Sequence, residues 1–167
     1  HIHAPQYAFR GMCMDLELMD WLNQYTFPEE EKYTNLEYAK KAYSIFTKAL
    51  KNSATTRACI FATRHRDATV LLMELMEETG LVSYVGKVNM DREASEALIE
   101  ESAEASAYNT FGWINAVHNK FQNTKPILTP RFIPCCTDEL MEELKQIQMT
   151  YGIPVQSHLS ESKSEIE

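Results

Sequence analysis

Three histidines and one glutamate carry the most explicit chemistry in this sequence. His1 and His3 stand two residues apart in "HIHAPQY". In a strand, residues i and i+2 point to the same face, so both imidazoles can reach one ion. His158 comes far along the chain, near the end of the strand-like run "IPVQSHL" (153–159), with Glu161 three residues later. Parallel-sheet proteins place their chemistry at the carboxyl ends of strands. Three neutral imidazoles leave a zinc ion with open positions and residual positive charge, which is how a metal makes a hydroxide nucleophile near neutral pH. Glu161 is then close enough to shuttle a proton without being a ligand. An HxH pair alone fits a structural or tag-like role equally well, and it is the His158–Glu161 context that favours metal.

The elements that must position these residues alternate. "TRACIFAT" (56–63) reads as a strand. A helix follows over 67–80, with Asp67 as its cap and Gly80 as its stop. "LVSYVGKVNM" (81–90) reads as a second strand, and a long helix is predicted over roughly 94–121. "KPILTPRF" (125–132) is a third strand, broken by Pro130. Thr137 starts another helix, with Asp138 and Glu139 in its first turn, and Gly152 ends it. The run 153–159 closes the series. Strand–helix alternation of this kind means βαβ units and a parallel sheet, either open and doubly wound or part of a (β/α) barrel. The stretch before it, 10–53, is too long for a βα loop. Its second half predicts a helix over 36–51, with Leu36, Ala39, Ala42, Tyr43, Phe46 and Leu50 on the buried side. Its first half reads as an insertion with a short helix near 16–22, the kind of long connection that serves as a lid or pocket wall.

Composition bounds the function. The 167 residues suit one domain, and a net charge of −8 argues against phosphate-backbone binding, hence against nucleic acid. No apolar run is long enough to span a membrane. The four cysteines, Cys13, Cys59, Cys135 and Cys136, form no CxxC pair, which suggests reduced thiols and a cytoplasmic setting.

The strings "HIH" and "SHLSE" resemble the amidohydrolase superfamily of (β/α)8 metal hydrolases. "HIHAPQYAFRG", "DWLNQYTFPEE", "YVGKVNMD", "ILTPRF" and "VQSHLSE" resemble, within it, the guanine deaminase family. The resemblance runs through essentially all 167 residues. It implies an α/β fold, a partial TIM-like barrel from the end of strand one through strand five, with residues 1–167 a segment of a single barrel domain. It also implies one zinc ion per site and hydrolysis of guanine to xanthine and ammonia, a step of purine catabolism. His1, His3 and His158 match the family's zinc ligands, and Glu161 its proton-shuttling glutamate. Gln6 and Arg131 match the groups that read the purine edge, and Phe132 a neighbouring aromatic. The O6 acceptor of guanine suits a guanidinium, and its N2 amine and N3 suit a carboxamide. The partner implied is a small-molecule purine, with a homodimer for the full-length enzyme. The superfamily also uses a sixth-strand histidine and an eighth-strand aspartate, positions beyond strand five, and a whole barrel takes about 250 residues. This sequence therefore reads as the middle of a longer enzyme. The alternatives are a related aminohydrolase or chlorohydrolase acting on another heterocycle, or a non-catalytic metal-binding scaffold.

Blander roles are expected for the rest. His65 reads as a loop histidine without a catalytic role, and His118 as a surface residue. Met12, Met14, Met19, Met73 and Met76 read as core filler. The acidic run Glu29–Glu31 reads as a solvated face, and Trp21 as a pocket wall or as packing. Cys135 and Cys136 are not metal ligands in this reading.

Overall fold

The computed structural model describes residues 1–166. Short apolar runs form parallel strands, each followed by a helix that buries one face on the sheet. β1 (Ile2–His3), β2 (Arg57–Phe61), β3 (Val82–Gly86) and β5 (Thr124–Pro126) lie side by side in that order. The register pairs Ile2 with Ile60, Phe61 with Gly86, and Val85 with Pro126. A second parallel pair, β4 (Val88–Asn89) with β6 (Thr129–Pro130), continues the runs of β3 and β5 towards their carboxyl ends.

The run 81–90, expected as one strand, breaks at Lys87. A Cβ on Gly86 would lie 1.7 Å from Thr129 Oγ1 and 2.7 Å from Ile127 O, so the two runs cross too closely for any side chain there. The run 153–159 is a strand only in outline. Residue bridges join Leu128 to Val155 and Phe132 to His158, and the His158 N–H donates to Arg131 O at 3.1 Å. Pro154 has no N–H for a regular ladder, and its carbonyl still accepts from Leu128 at 2.9 Å.

The helices start and stop on local signals. α3 (Leu36–Lys51) is capped by Asn35, which accepts from the Glu37 and Tyr38 N–H groups. Tyr43, Phe46 and Leu50 are buried as expected, whereas Leu36, the first residue of the helix, is 46% exposed. α4 (Arg66–Thr79) ends at left-handed Gly80, φ 74°. Its cap position is His65, so Asp67 lies in the first turn and not at the cap. α5 (Ala103–Val117) is shorter than predicted. Ser102 caps it, and residues 92–101 form an irregular loop. That loop is held by Glu100, whose carboxylate lies 2.7 Å from the fully buried Lys87 ammonium. α6 (Asp138–Tyr151) runs from Thr137, which accepts from Leu140 N–H, to left-handed Gly152. After 160 comes a short helix, α7 (Lys163–Ile166), and Glu167 lies outside the described residues.

The insertion is more helical than its sequence suggests. α1 (Leu18–Trp21), a π-helical turn (Leu22–Thr26) and α2 (Phe27–Glu31) follow one another without a break. One core packs α3, α4, α5 and α6 against the sheet through Tyr43, Phe46, Leu72, Met76, Trp113 and Leu140. Burying each such side chain stabilises by about 1.5–3 kcal/mol. A smaller core, with Leu22, Phe27, Phe61, Met90, Leu98 and Phe132, seats the insertion on the carboxyl ends of the strands. Glu29 and Glu30 are both buried within this part of the fold, which overturns the reading of a solvated acidic face. Glu29 is held by Lys32 and by the Tyr38 hydroxyl. Met73 and Met76 are core residues, but Met12 and Met14 are exposed because the chain around them covers the sheet end as an irregular loop. Among the described residues, no helix is long and apolar enough to cross a membrane.

Candidate metal centre

β1 presents His1 and His3 on either side of Ile2, and the 153–159 run brings His158 to the same point. His158 Nε2 lies 3.0 Å from His3 Nε2 and 3.3 Å from His1 Nε2. The candidate ligand atoms of the three all fall within 4.8 Å of one another. Tetrahedral zinc with Zn–N distances of about 2.0–2.1 Å has N···N edges of about 3.3–3.4 Å, and the two edges at His158 come close to that spacing. The donor chemistry agrees. His158 Nδ1 sits 2.7 Å from the Arg131 carbonyl; an N–H donated there leaves the Nε2 lone pair aimed at the other two rings. Burial, followed by the nearby Arg131 cation and His158, holds His3 well below the usual imidazole range and therefore neutral. Neutral imidazole is the form that ligates metal. Phe61, at the end of β2, forms the floor: His3 stacks on it at 4.7 Å between centroids, and His158 lies 4.5 Å away.

A cavity of about 460 Å³ opens over this cluster, within the range of small-molecule sites. All seven residues singled out from the sequence line it: His1, His3, Gln6, Arg131, Phe132, His158 and Glu161. Gln6 comes from the 3-10 turn Pro5–Phe9 that follows β1. Arg131 and Phe132 follow β6, and Phe132 is bridged to His158 across the sheet. Glu161 is exposed to the cavity and near enough to Arg131 for its charge to favour the guanidinium cation. Cys13, Met14, Leu16, Leu18, Trp21 and Leu22 complete the lining, so the insertion is a wall of the pocket. Leu18, Trp21 and Leu22 share one helical face, the i, i+3, i+4 spacing.

Two participants were not identified from the sequence. Phe61 carried only the signal of its place at a strand end. Glu30 pairs with Arg131 across 101 residues, a relation no local pattern reveals. His65 does not line the cavity. Its Nδ1 lies 3.0 Å from Thr63 Oγ1, and burial, reinforced by the Arg64 and Lys87 cations, lowers it to about 4. His118 is exposed at the end of α5. Cys135 and Cys136 are buried, and burial pushes their thiols up to about 12 and about 11. Among the described residues, the cluster able to hold a metal contains three histidines and no cysteine.

Comparison with known proteins bears on the family and the fold. The chain is 43% identical to the guanine deaminase of Rattus norvegicus over 169 residues, 40% identical to that of Homo sapiens, and 35% identical to that of Escherichia coli K12. It spans 37% of the length of each of these relatives. It superposes on the crystal structure of guanine deaminase from C. acetobutylicum with bound guanine with a TM-score of 0.93 at 45% identity. That match covers 98% of this chain and 39% of the other. A triazine hydrolase from Arthobacter aurescens matches at TM-score 0.77 and 16% identity, a likeness of fold alone. The parallel sheet with its outer helices is part of a (β/α)8 barrel, as the sequence implied. The amidohydrolase family profile matches residues 1–167 throughout, and the chain belongs to that family.

Proposed function

We propose that this chain supplies the metal-binding and base-reading part of a zinc-dependent guanine deaminase, which hydrolyses guanine to xanthine and ammonia in purine catabolism. The observation that supports it best is the convergence of His1, His3, His158, Glu161, Gln6 and Arg131 on one cavity. His1, His3 and His158 would hold zinc, which supplies Lewis-acid activation of water near neutral pH. Glu161 accepts a proton from the attacking water and returns one to the departing amine. Arg131 donates to O6, and Gln6 pairs with the N2 and N3 edge through its carboxamide oxygen and nitrogen. Phe132 supplies an apolar wall beside the base. A purine lacking these edge groups leaves buried polar atoms unpaired and is rejected.

The test uses the full-length protein that carries this chain. Metal content is measured alongside turnover of guanine, adenine and a triazine. Stoichiometric zinc with guanine turnover dominant is the expected result. Turnover of another heterocycle in preference to guanine would overturn the substrate assignment, and bound metal with no turnover at all would point to a scaffold.

A further inference from the structure

Arg131 does not face the cavity alone. Its Nη1 donates to both Glu30 oxygens, at 3.0 and 2.8 Å, and the two side chains are 3% and 1% exposed. The guanidinium also lies 5.1 Å above the Phe27 ring. Glu30 and Phe27 both belong to α2, so one turn of the insertion grips the arginine from two sides. Both carboxylate contacts fall on Nη1, which leaves Nε and Nη2 untaken by Glu30 while Arg131 still lines the cavity. Taking an ion pair out of water costs heavily, and an apolar pair of similar volume is often as stable or more so. A plain pocket wall therefore has no need of Glu30.

We propose that Glu30 is a positioning residue for base recognition: it orients the Arg131 guanidinium towards the cavity and cancels its charge, so that the pocket suits a neutral purine and disfavours an anionic one. The inference rests on the guanine reading above. A lone buried guanidinium would attract anions, and in low dielectric that attraction is strong. Xanthine, the product, is a stronger acid than guanine and ionises more readily. With Glu30 in place, ionised xanthine finds no uncompensated guanidinium charge at the position that reads O6, and its departure is favoured. The insertion thus does more than wall the cavity, since it sets the charge of the residue that reads O6.

The experiment compares wild type, Glu30→Gln and Glu30→Asp in the full-length zinc protein. It reads KM and kcat for guanine separately, and inhibition by xanthine at pH values below and above its ionisation. Glu30→Gln keeps the shape and removes the charge. Its guanine KM is expected to rise about tenfold or more, with a smaller change in kcat. Its xanthine inhibition constant should fall above the xanthine pKa and not below it. Glu30→Asp keeps the charge and moves it back by one methylene, so guanine KM should rise while the xanthine pH profile stays that of wild type. An unchanged guanine KM in Glu30→Gln overturns the proposal, as does a parallel weakening of guanine and xanthine at every pH, which is what simple loss of structure produces. Should Glu30→Gln not fold, the Asp variant decides alone: an unchanged KM overturns the proposal. Wild type that does not deaminate guanine removes the reading beneath, and this inference with it.

Discussion

At the scale of single residues, Glu161 and Arg131 divide the proposed work between chemistry and recognition, and the two roles predict different kinetics. Glu161 is exposed to the cavity and is absent from the metal-ligating cluster, so its loss should leave metal in place. Glu161→Gln in the full-length protein is expected to keep zinc and lose about 10²–10⁴-fold in kcat, the usual worth of a positioned acid–base group. Metal analysis and turnover on the same sample check it; normal turnover with normal zinc would remove Glu161 from the mechanism. Arg131 is buried, and the Glu30 carboxylate outweighs the burial that would otherwise lower it, holding the guanidinium charged. Arg131→Met deprives O6 of its donor and also strands Glu30 as a buried charge. The loss of one buried hydrogen bond alone is worth about 1–3 kcal/mol, roughly 5- to 150-fold in kcat/KM. Guanine kinetics left untouched while another purine improves would refute the assignment of Arg131 to O6.

At the scale of elements, strand ends are aligned by polar clamps between neighbouring loops. Glu77, on α4, accepts from the Gln122, Asn123 and Thr124 N–H groups at 2.9–3.2 Å, tying the helix to the chain entering β5. Burial raises its carboxyl, but the three donors outweigh this and hold it below the ordinary glutamate value. A carboxyl depressed by folding contributes stability that is full above its unfolded pKa and is lost as pH falls through the folded value. The stability gap between wild type and Glu77→Gln should therefore be constant near neutrality, at no more than about 1 kcal/mol because solvent screens the carboxylate, and close on acidification. Urea unfolding at a series of pH values measures it, and a gap that widens in acid would contradict the clamp. Asp91 makes a second tie, accepting the Thr137 N–H at 2.8 Å and so joining the end of β4 to the start of α6. These ties explain what could be read from the sequence and what could not. Gly80, Thr137 and Gly152 act on their own neighbours, so their stops and caps were legible. The loop before α5 was not, because Glu100 holds it by reaching Lys87 on another element, although the Ser102 cap that starts the helix is local. The acidic run misled for the same reason, since Glu30 is buried by a partner 101 residues away. His1 and His3 declared themselves through strand spacing, whereas Arg131, Gln6 and Phe132 were found through resemblance alone. Phe61 looks from the sequence like any strand residue.

At the scale of the whole molecule, among the described residues the sheet has a neighbour on only one side of β1 and on only one side of the 153–159 run. Parallel sheets are stable when covered on both faces and closed or capped at their edges, and unpaired edges recruit other chains. Both edges carry proposed metal ligands, His1 and His3 on one and His158 on the other. The cluster therefore spans the two margins of the sheet and depends on their holding a fixed distance apart. Packing of the insertion across the carboxyl ends of the strands helps, but β1 contributes only two paired residues. The cluster itself is three imidazoles with no anionic ligand among the described residues, and a divalent ion held without one gains less electrostatic stabilisation. The relatives that the chain matches are longer, with 37% of their length covered, so in those relatives most of the chain lies outside the matched part. Residues 1–167 expressed alone should thus self-associate through the open edges, bind zinc weakly and give no conversion of guanine to xanthine. The same residues extended at both ends to the length of the relatives should be active. Size-exclusion chromatography, zinc titration and a guanine assay on the two proteins side by side test this. Turnover by residues 1–167 as a monomer would mean that the three histidines and Glu161 suffice without a closed barrel.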